Sequence, residues 1–217
     1  MVVRRMSDPE LERAIEAVQS ILQPLRLGEF SEKIGKVSIY VQSVAKSWDA
    51  CCKAMQTLGQ RGAEDSKDAM ASGFRASLKN SLHFARINLD AALVQALQTL
   101  VWRPKNPTKT DESRKAAALK RAFDRSATPG KAMLQHYISS SDPLDKWLVA
   151  GPWGHEYLRR RGMDLEEFDL ALCEILECGS SVAGKIVQSY TRICRAIDEV
   201  ERSALEAVEK PRLANLK

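Results

Sequence analysis

The chain has 217 residues, of which 44% are hydrophobic and 28% are charged, and its formal net charge is +5. This composition is ordinary for a folded protein, and it excludes bulk disorder and collagen-like or mucin-like repeats. The length suffices for one domain, or a domain with an appendage, that buries a core without disulfides or metals. The mild basic excess favours an anionic partner.

The first predicted element is a short N-terminal helix. Ser7 is placed to cap this helix, and Pro9 suits its first turn. Pro24 should kink or end the helix, because proline lacks the amide hydrogen that a helix interior needs. We therefore assign residues 1–28 to a short helix and linker, and residues 29–217 to a single helical-bundle domain.

The most regular pattern lies between residues 30 and 58, where apolar residues alternate at steps of four and three. Such a heptad repeat predicts a long helix whose narrow apolar seam packs against a partner helix. We assign this seam to self-association and expect a homodimer or a larger assembly. The seam residues are Phe30, Ile34, Val37, Val41, Val44, Trp48 and Met55.

Two further long helices follow. The second is predicted from about Glu64 to Trp102, and its two adjoining apolar stripes indicate burial over a wide arc. The third should begin after Asp164, bend near residues 179–181 and reach about residue 209. Between them, five prolines break residues 103–163 into short pieces. The sequence thus predicts an all-α fold, an elongated bundle of three long, antiparallel, coiled-coil-like helices with an irregular short-helix segment between the second and third.

Motifs of catalysis are absent from the sequence. There is no glycine-rich nucleotide loop and no nucleophile elbow, and the three histidines, His83, His136 and His155, are scattered along the chain. The five cysteines lack the spacing of a zinc site, so we interpret them as reduced core residues. We therefore expect a protein that is not an enzyme, with no catalytic residue, cofactor or metal.

The termini and the apolar stretches bear on location. The N-terminus is basic but lacks the apolar region of a secretory signal. The most apolar stretch, residues 89–102, carries Asp90 and two glutamines and is too short to cross a bilayer. We expect a cytoplasmic, reducing location, with peripheral attachment to a membrane as a further option.

Positive charge is concentrated between Arg103 and Lys131, where nine Lys or Arg face three Asp or Glu. A second cluster, Arg159–Arg161, follows. Several cations acting together on phosphates or on an anionic leaflet give useful affinity, whereas one alone does not. The predicted anion-binding residues are Arg103, Lys105, Lys109, Arg114, Lys115, Lys120, Arg121, Arg125, Lys131, Arg159, Arg160 and Arg161.

The seam over residues 30–58, the double stripe over residues 70–101 and the stripe over residues 165–207 together resemble the helices of the BAR and arfaptin-homology membrane scaffolds. The resemblance implies an antiparallel dimer whose bundle presents Lys and Arg to anionic lipid. The chain departs from that family between residues 103 and 163, where its prolines interrupt helices that should be continuous.

We therefore expect a helical scaffold that self-associates and binds an anionic surface, with membrane phospholipid as the first partner considered. Two alternatives stay open: a nucleic-acid-binding assembly protein of the viral nucleocapsid, coat or matrix type, and an adaptor that binds other helical proteins. Aromatic residues are few near the basic segment, so base stacking has little support. Trp153 either packs the irregular segment onto the bundle or inserts into a membrane interface or partner groove.

Overall fold

The computed structural model describes residues 8–58, 64–100 and 108–214. Over these ranges the chain forms helices and turns and no strand, which confirms the all-α class. No helix there combines the length and the hydropathy that a membrane crossing requires. The helices are α1 (Pro9–Leu22), α2 (Ser31–Leu58), α3 (Glu64–Leu100), α4 (Lys109–Phe123), α5 (Pro129–Ser139), α6 (Pro143–Ala150), α7 (Pro152–Arg160), α8 (Leu165–Ile175) and α9 (Val182–Ala214).

Contacts group the chain into two compact units. Unit 1 is drawn from Met1–Arg26, Ser31–Leu89 and Ile193–Lys217, and unit 2 from Leu27–Phe30 and Asp90–Arg192. This grouping differs from the division made on the sequence, which set an N-terminal segment apart from one bundle.

Helix α1 starts at a cap next to the predicted one. The Asp8 carboxylate accepts hydrogen bonds from two backbone N–H groups of the first turn, at 3.0 and 3.2 Å. The predicted cap, Ser7, lies outside the described residues. The Gln19 side-chain amide donates to the Ser38 carbonyl oxygen of α2 at 3.2 Å, so α1 is an integral helix of unit 1.

The predicted seam of α2 is buried within the chain itself. Its first six residues, from Phe30 to Trp48, are at most 6% exposed, whereas Met55 is partly exposed. This burial corrects the assignment of the seam to a contact between copies, because these side chains already fill the core of a single chain. Self-association through another surface stays a prediction.

Helices α2 and α3 run antiparallel in unit 1. The Tyr40 ring stacks on Phe84 with centroids 5.4 Å apart, and further along the pair the Ser47 and Ser77 hydroxyl oxygens are 2.9 Å apart. The contacting residues of α3 therefore have decreasing residue numbers as those of α2 increase, which is the pattern of antiparallel helices. Serines at this contact let the two helix backbones approach closely.

The second apolar stripe predicted for α3 is only partly buried. Phe84 and Ile87 are 46% and 47% exposed, whereas Leu82 and Leu89 on the first stripe have no exposed surface. The double stripe therefore overestimated the arc that neighbouring helices cover in unit 1.

The third long helix predicted from the sequence is two helices. After α8 the backbone enters the left-handed region at Glu177, with φ 50°, and again at Gly179, with φ 43°. Helix α9 then starts at Val182. The predicted bend is therefore a complete break between α8 and α9.

A disulfide and a glycine hold this break together. Cys173 and Cys178 are bonded, with Cα atoms 5.6 Å apart. A Cβ atom on Gly184 would lie 2.5 Å from the Cys178 carbonyl oxygen, so α9 approaches the turn as closely as only glycine allows. The bond corrects the expectation that all five cysteines are reduced; Cys51 and Cys52 are buried and free.

The segment predicted to be irregular forms the short helices α4 to α7 of unit 2. Proline stands in the first turn of α5, α6 and α7, where a missing N–H group leaves no bond unmade. A Cβ atom on Gly154 would lie 2.0 Å from the Val149 carbonyl oxygen, so α6 and α7 meet backbone to backbone. The sequence predicted that prolines break this segment; it did not predict that three of them begin helices.

Candidate anion-binding surface

Helix α4 is fixed at its start by a capping box. The Thr108 hydroxyl accepts from the Asp111 N–H at 3.1 Å, and the Asp111 carboxylate accepts from the Thr108 N–H at 3.3 Å. Leu119 and Phe123 bury the apolar side of the helix. With both its start and its apolar side held, α4 presents its other side in a defined orientation.

The side of α4 opposite Leu119 and Phe123 carries arginine and alanine. At about 100° per residue, Arg114 and Arg121 fall on one line pointing away from the buried side, and Arg125 continues this line just past the last turn. All three are exposed, and within the described residues none makes an ion pair. We call these three residues the arginine face.

Two carboxylates close to the arginine face in sequence, Asp124 and Asp111, have other partners. Asp124 pairs with Lys120 at 2.9 Å and with Arg161, and it accepts from the Tyr157 hydroxyl at 3.0 Å. The hydrogen bond from Lys120, then those from Tyr157 and Arg161, hold the pKa of Asp124 below its usual value. Asp111 serves the cap, and its bonds to Thr108, followed by the nearby charge of Arg114, lower its pKa. Neither carboxylate forms an ion pair with the arginine face.

Two carboxylates in this region are each shared by two cations. Asp124 is shared by Lys120 and Arg161. Glu156 is shared by Arg159 at 2.9 Å and Arg160 at 2.7 Å, and its pKa is lowered first by the hydrogen bond from Arg159. The Asp124 cluster therefore holds one more cation than anion.

Lys115 is different, because two carboxylates neutralise it. Its ammonium group lies 2.7 Å from Asp142 and 3.0 Å from Asp145, and these bonds raise its pKa. Asp145 also lies 3.1 Å from Nε2 of His136 and accepts from the Ser140 hydroxyl at 3.2 Å. This cluster ties α4 to α5 and α6, and Lys115 is a structural residue there.

The twelve predicted anion-binding residues thus separate into groups. Arg103 and Lys105 lie outside the described residues. Lys109 and Lys131 are exposed and, like the arginine face, form no ion pair in the described part of the chain. The residues in ion pairs are Lys115, Lys120, Arg159, Arg160 and Arg161.

Aromatic rings pack beneath the cations of α7. Trp153, partly exposed, stacks on Tyr157 with centroids 5.7 Å apart, and Tyr157 lies 6.2 Å from Phe123 of α4. The Arg161 guanidinium lies 5.4 Å from the centre of the Tyr157 ring. Trp153 therefore helps pack α7 within unit 2, and this stack orients Arg161.

A buried charged pair lies in the core of unit 2, and sequence reasoning missed it. His155 is 2% exposed and Asp169 is 0% exposed. Nε2 of His155 lies 2.5 Å from Oδ1 of Asp169, and Nδ1 lies 2.9 Å from the Gly151 carbonyl oxygen. The rings of Tyr190 and Phe168 pack against the imidazole at 4.8 and 5.5 Å.

Both ring nitrogens of His155 face acceptors, so both must carry a proton. Burial alone would lower the pKa of His155, but the Asp169 carboxylate and the Gly151 carbonyl outweigh burial and raise it. The other carboxylate oxygen of Asp169 accepts from the Thr191 N–H at 3.3 Å. The pair is enclosed by side chains, so it acts as a structural ion pair joining α7, α8 and α9.

Metal-ligating side chains are not clustered in the part of the chain that the structure describes. No group of three or more His, Cys, Asp or Glu side chains there is placed to hold a metal ion. The sequence carried no signal for the His155–Asp169 pair, because fourteen positions separate its members and neither belongs to a known motif.

Comparison with known proteins leaves these observations to stand on their own. No family model matches the chain, and neither a curated protein nor a solved structure matches it. The resemblance to the BAR and arfaptin-homology scaffolds therefore stays an expectation.

Proposed function

We propose that the protein is a non-enzymatic helical protein that binds a phosphate-bearing anionic surface through the arginine face. The observation that supports this proposal most is the set of three exposed arginines, Arg114, Arg121 and Arg125, without an ion-pair partner in the described residues. They stand on a helix whose opposite side is buried.

Arginine suits such a surface because its planar guanidinium forms paired hydrogen bonds with phosphate oxygens and stays charged at any physiological pH. Near an anionic surface each basic side chain contributes about 1 kcal/mol. The three side chains of the arginine face would thus contribute about 3 kcal/mol. Such binding weakens steeply as salt is added.

Several finer expectations belong to the same proposal. Membrane phospholipid and nucleic acid are both phosphate-bearing partners, and other helical proteins are a third class. An elongated, coiled-coil-like arrangement and peripheral membrane attachment are likewise proposed. A cytoplasmic location is proposed as well, with the Cys173–Cys178 bond as an exception to the reduced cysteines expected there.

Charge reversal tests the proposal. The variant R114E/R121E/R125E should lose binding both to phosphatidylserine-containing vesicles in co-sedimentation and to a DNA or RNA duplex in gel-shift assays, whichever the wild type binds. The matched control is K46E/K53E/K79E, which reverses three exposed lysines of unit 1 and changes the net charge equally. Unchanged binding by the arginine variant, or an equal loss in the control, would contradict the proposal.

Self-association is the second part of the proposal, and exposed apolar side chains of unit 1 support it. Ile39, Phe84 and Ile87 are 63%, 46% and 47% exposed. Light scattering coupled to size exclusion measures the mass directly. A dimer that F84E converts to a monomer supports this part, and a wild-type monomer at micromolar concentration contradicts it.

A further inference from the structure

We infer that the partner of the arginine face is duplex DNA, with α4 lying along the major groove and its arginines on the phosphates. This inference rests on the proposed function and names its partner. The reasons are the chemistry of the exposed side of α4, the shape of that side, and the distribution of charge beside it.

The exposed side of α4 lacks the apolar residues that a membrane-bound helix inserts. A helix that lies in a membrane interface buries an apolar side between headgroups and acyl chains. In α4 that side is already used, because Leu119 and Phe123 are 5% and 3% exposed in the core of unit 2. What faces outward between the arginines is Ala117 and Ala118. Contact with a bilayer would therefore rest on charge alone.

The exposed side of α4 fits the width of the major groove of DNA. An α-helix is about 10–12 Å across, and the major groove of B-form DNA is about 12 Å wide. Ala117 and Ala118 add little width, so the backbone of α4 can approach the floor of such a groove. The deep, narrow major groove of an RNA duplex does not admit a helix, which favours DNA.

The spacing of the cations suits phosphates on the groove walls. Arg114 and Arg121 are seven residues apart, which places their Cα atoms about 10 Å apart along the helix axis. Long guanidinium side chains reach outward from that axis to either wall. Residues 109–125 contain no Asn or Gln, the residues that read adenine edges, so any sequence preference would come from arginine on guanine.

Charge beside α4 extends the same surface. Tyr157 of α7 packs against Phe123 of α4, and Arg161, which directly follows α7, shares Asp124 with Lys120 of α4. The excess positive charge of the Asp124 cluster therefore lies at the C-terminal end of α4. A duplex seated on α4 would meet this charge with its flanking backbone.

The experiment is fluorescence anisotropy of a labelled DNA duplex, titrated with the full chain at several salt concentrations. With three phosphate contacts, the logarithm of the association constant should fall by about 2.7 per tenfold rise in salt from the arginine face alone. Between about 50 and 200 mM salt, the wild type should therefore lose about 40-fold more affinity than R114A/R121A/R125A. The control K46A/K53A/K79A should keep the wild-type salt dependence. The variant R114K/R121K/R125K should keep most of the wild-type salt dependence.

Vesicles separate failure of the inference from failure of the proposed function. Loss of vesicle binding in R114A/R121A/R125A, with no DNA binding by the wild type, would overturn the inference and keep the proposed function. DNA binding that the alanine variant leaves unchanged would overturn both, and so would absence of binding to DNA, RNA and vesicles alike. Circular dichroism confirms that each variant folds, as expected for side chains without partners in the described residues.

Discussion

Replacing Asp169 by asparagine should destabilise unit 2 strongly, although the two side chains have nearly the same shape. One oxygen of the Asp169 carboxylate accepts from His155 at 2.5 Å, and the other accepts from the Thr191 N–H at 3.3 Å. An amide has one oxygen, so asparagine must point its NH₂ group at one of these two donors. The replacement also leaves the imidazole without its counter-charge in a buried site.

The magnitude follows from the burial of both groups. His155 is 2% exposed and Asp169 is 0% exposed, so water cannot replace the lost partner. Breaking a buried ion pair by removing one member costs about 3–5 kcal/mol. Against a typical total stability of about 5–15 kcal/mol, this is a large fraction.

The pH dependence gives a second signature with a definite sign. The folded protein raises the pKa of His155 above its ordinary value of 6.5. The contribution of the pair is therefore complete below about pH 6.5, and it is lost as the pH rises through the folded pKa. In that pH window the free energy of unfolding of the wild type should fall by up to about 1.4 kcal/mol per pH unit because of His155, and that of D169N should not.

Urea unfolding followed by circular dichroism measures both quantities between about pH 6 and pH 9. The deficit of D169N should be largest at the acidic end and should narrow as the pH rises. The control E167Q removes an exposed carboxylate from the same helix and should change the free energy of unfolding by less than about 0.5 kcal/mol. A D169N deficit below about 1 kcal/mol, or one independent of pH, would refute the reasoning.

Three further predictions concern backbone packing, cysteine reactivity and capping. Gly154→Ala should lower the free energy of unfolding by about 1–3 kcal/mol or more, because the added Cβ atom would lie 2.0 Å from a carbonyl oxygen. The control Gly35→Ala has open space around the added Cβ atom and should raise the free energy of unfolding by about 0.5–1 kcal/mol. Equal effects of the two substitutions in thermal melts would contradict the close packing at Gly154. Burial raises the pKa of Cys52 to about 11 and also raises the pKa of Cys51, so both thiols should resist iodoacetamide until the protein unfolds. Fast labelling of either cysteine in the native protein, detected by mass spectrometry, would contradict their burial. Thr108→Ala should cost about 1 kcal/mol in urea unfolding through the lost cap of α4, with Thr108→Ser near wild type, and no loss would mean that the capping box is not formed.

Helix patterns were readable from the sequence because local spacing decides them. The steps of four and three over residues 30–58 located α2, whereas the prolines predicted only breaks in the chain, and α5, α6 and α7 each begin at one of them. The partner of each apolar side was not readable, since a heptad seam packs equally well in its own chain or in a second copy. Only the three-dimensional structure could therefore show that the seam is buried within one chain.

The candidate site was predictable in composition and not in geometry. The count of basic residues located the cationic segment, but it ranked Lys115 with Arg114, although two carboxylates neutralise the former. Those carboxylates, Asp142 at the N-cap of α6 and Asp145 in its first turn, are brought to α4 only by the fold. The His155–Asp169 pair was beyond sequence reasoning for the same cause, because its members come from different helices.

Arginine modification with phenylglyoxal, mapped by mass spectrometry with and without a saturating DNA duplex or phosphatidylserine vesicles, tests the central claim most directly. Arg114, Arg121 and Arg125 should react readily in the free protein and become protected when the partner is bound. The exposed Arg13 of unit 1 should react equally in both states. Protection of Arg13 with unchanged reactivity along α4 would contradict the claim that the arginine face is the binding surface.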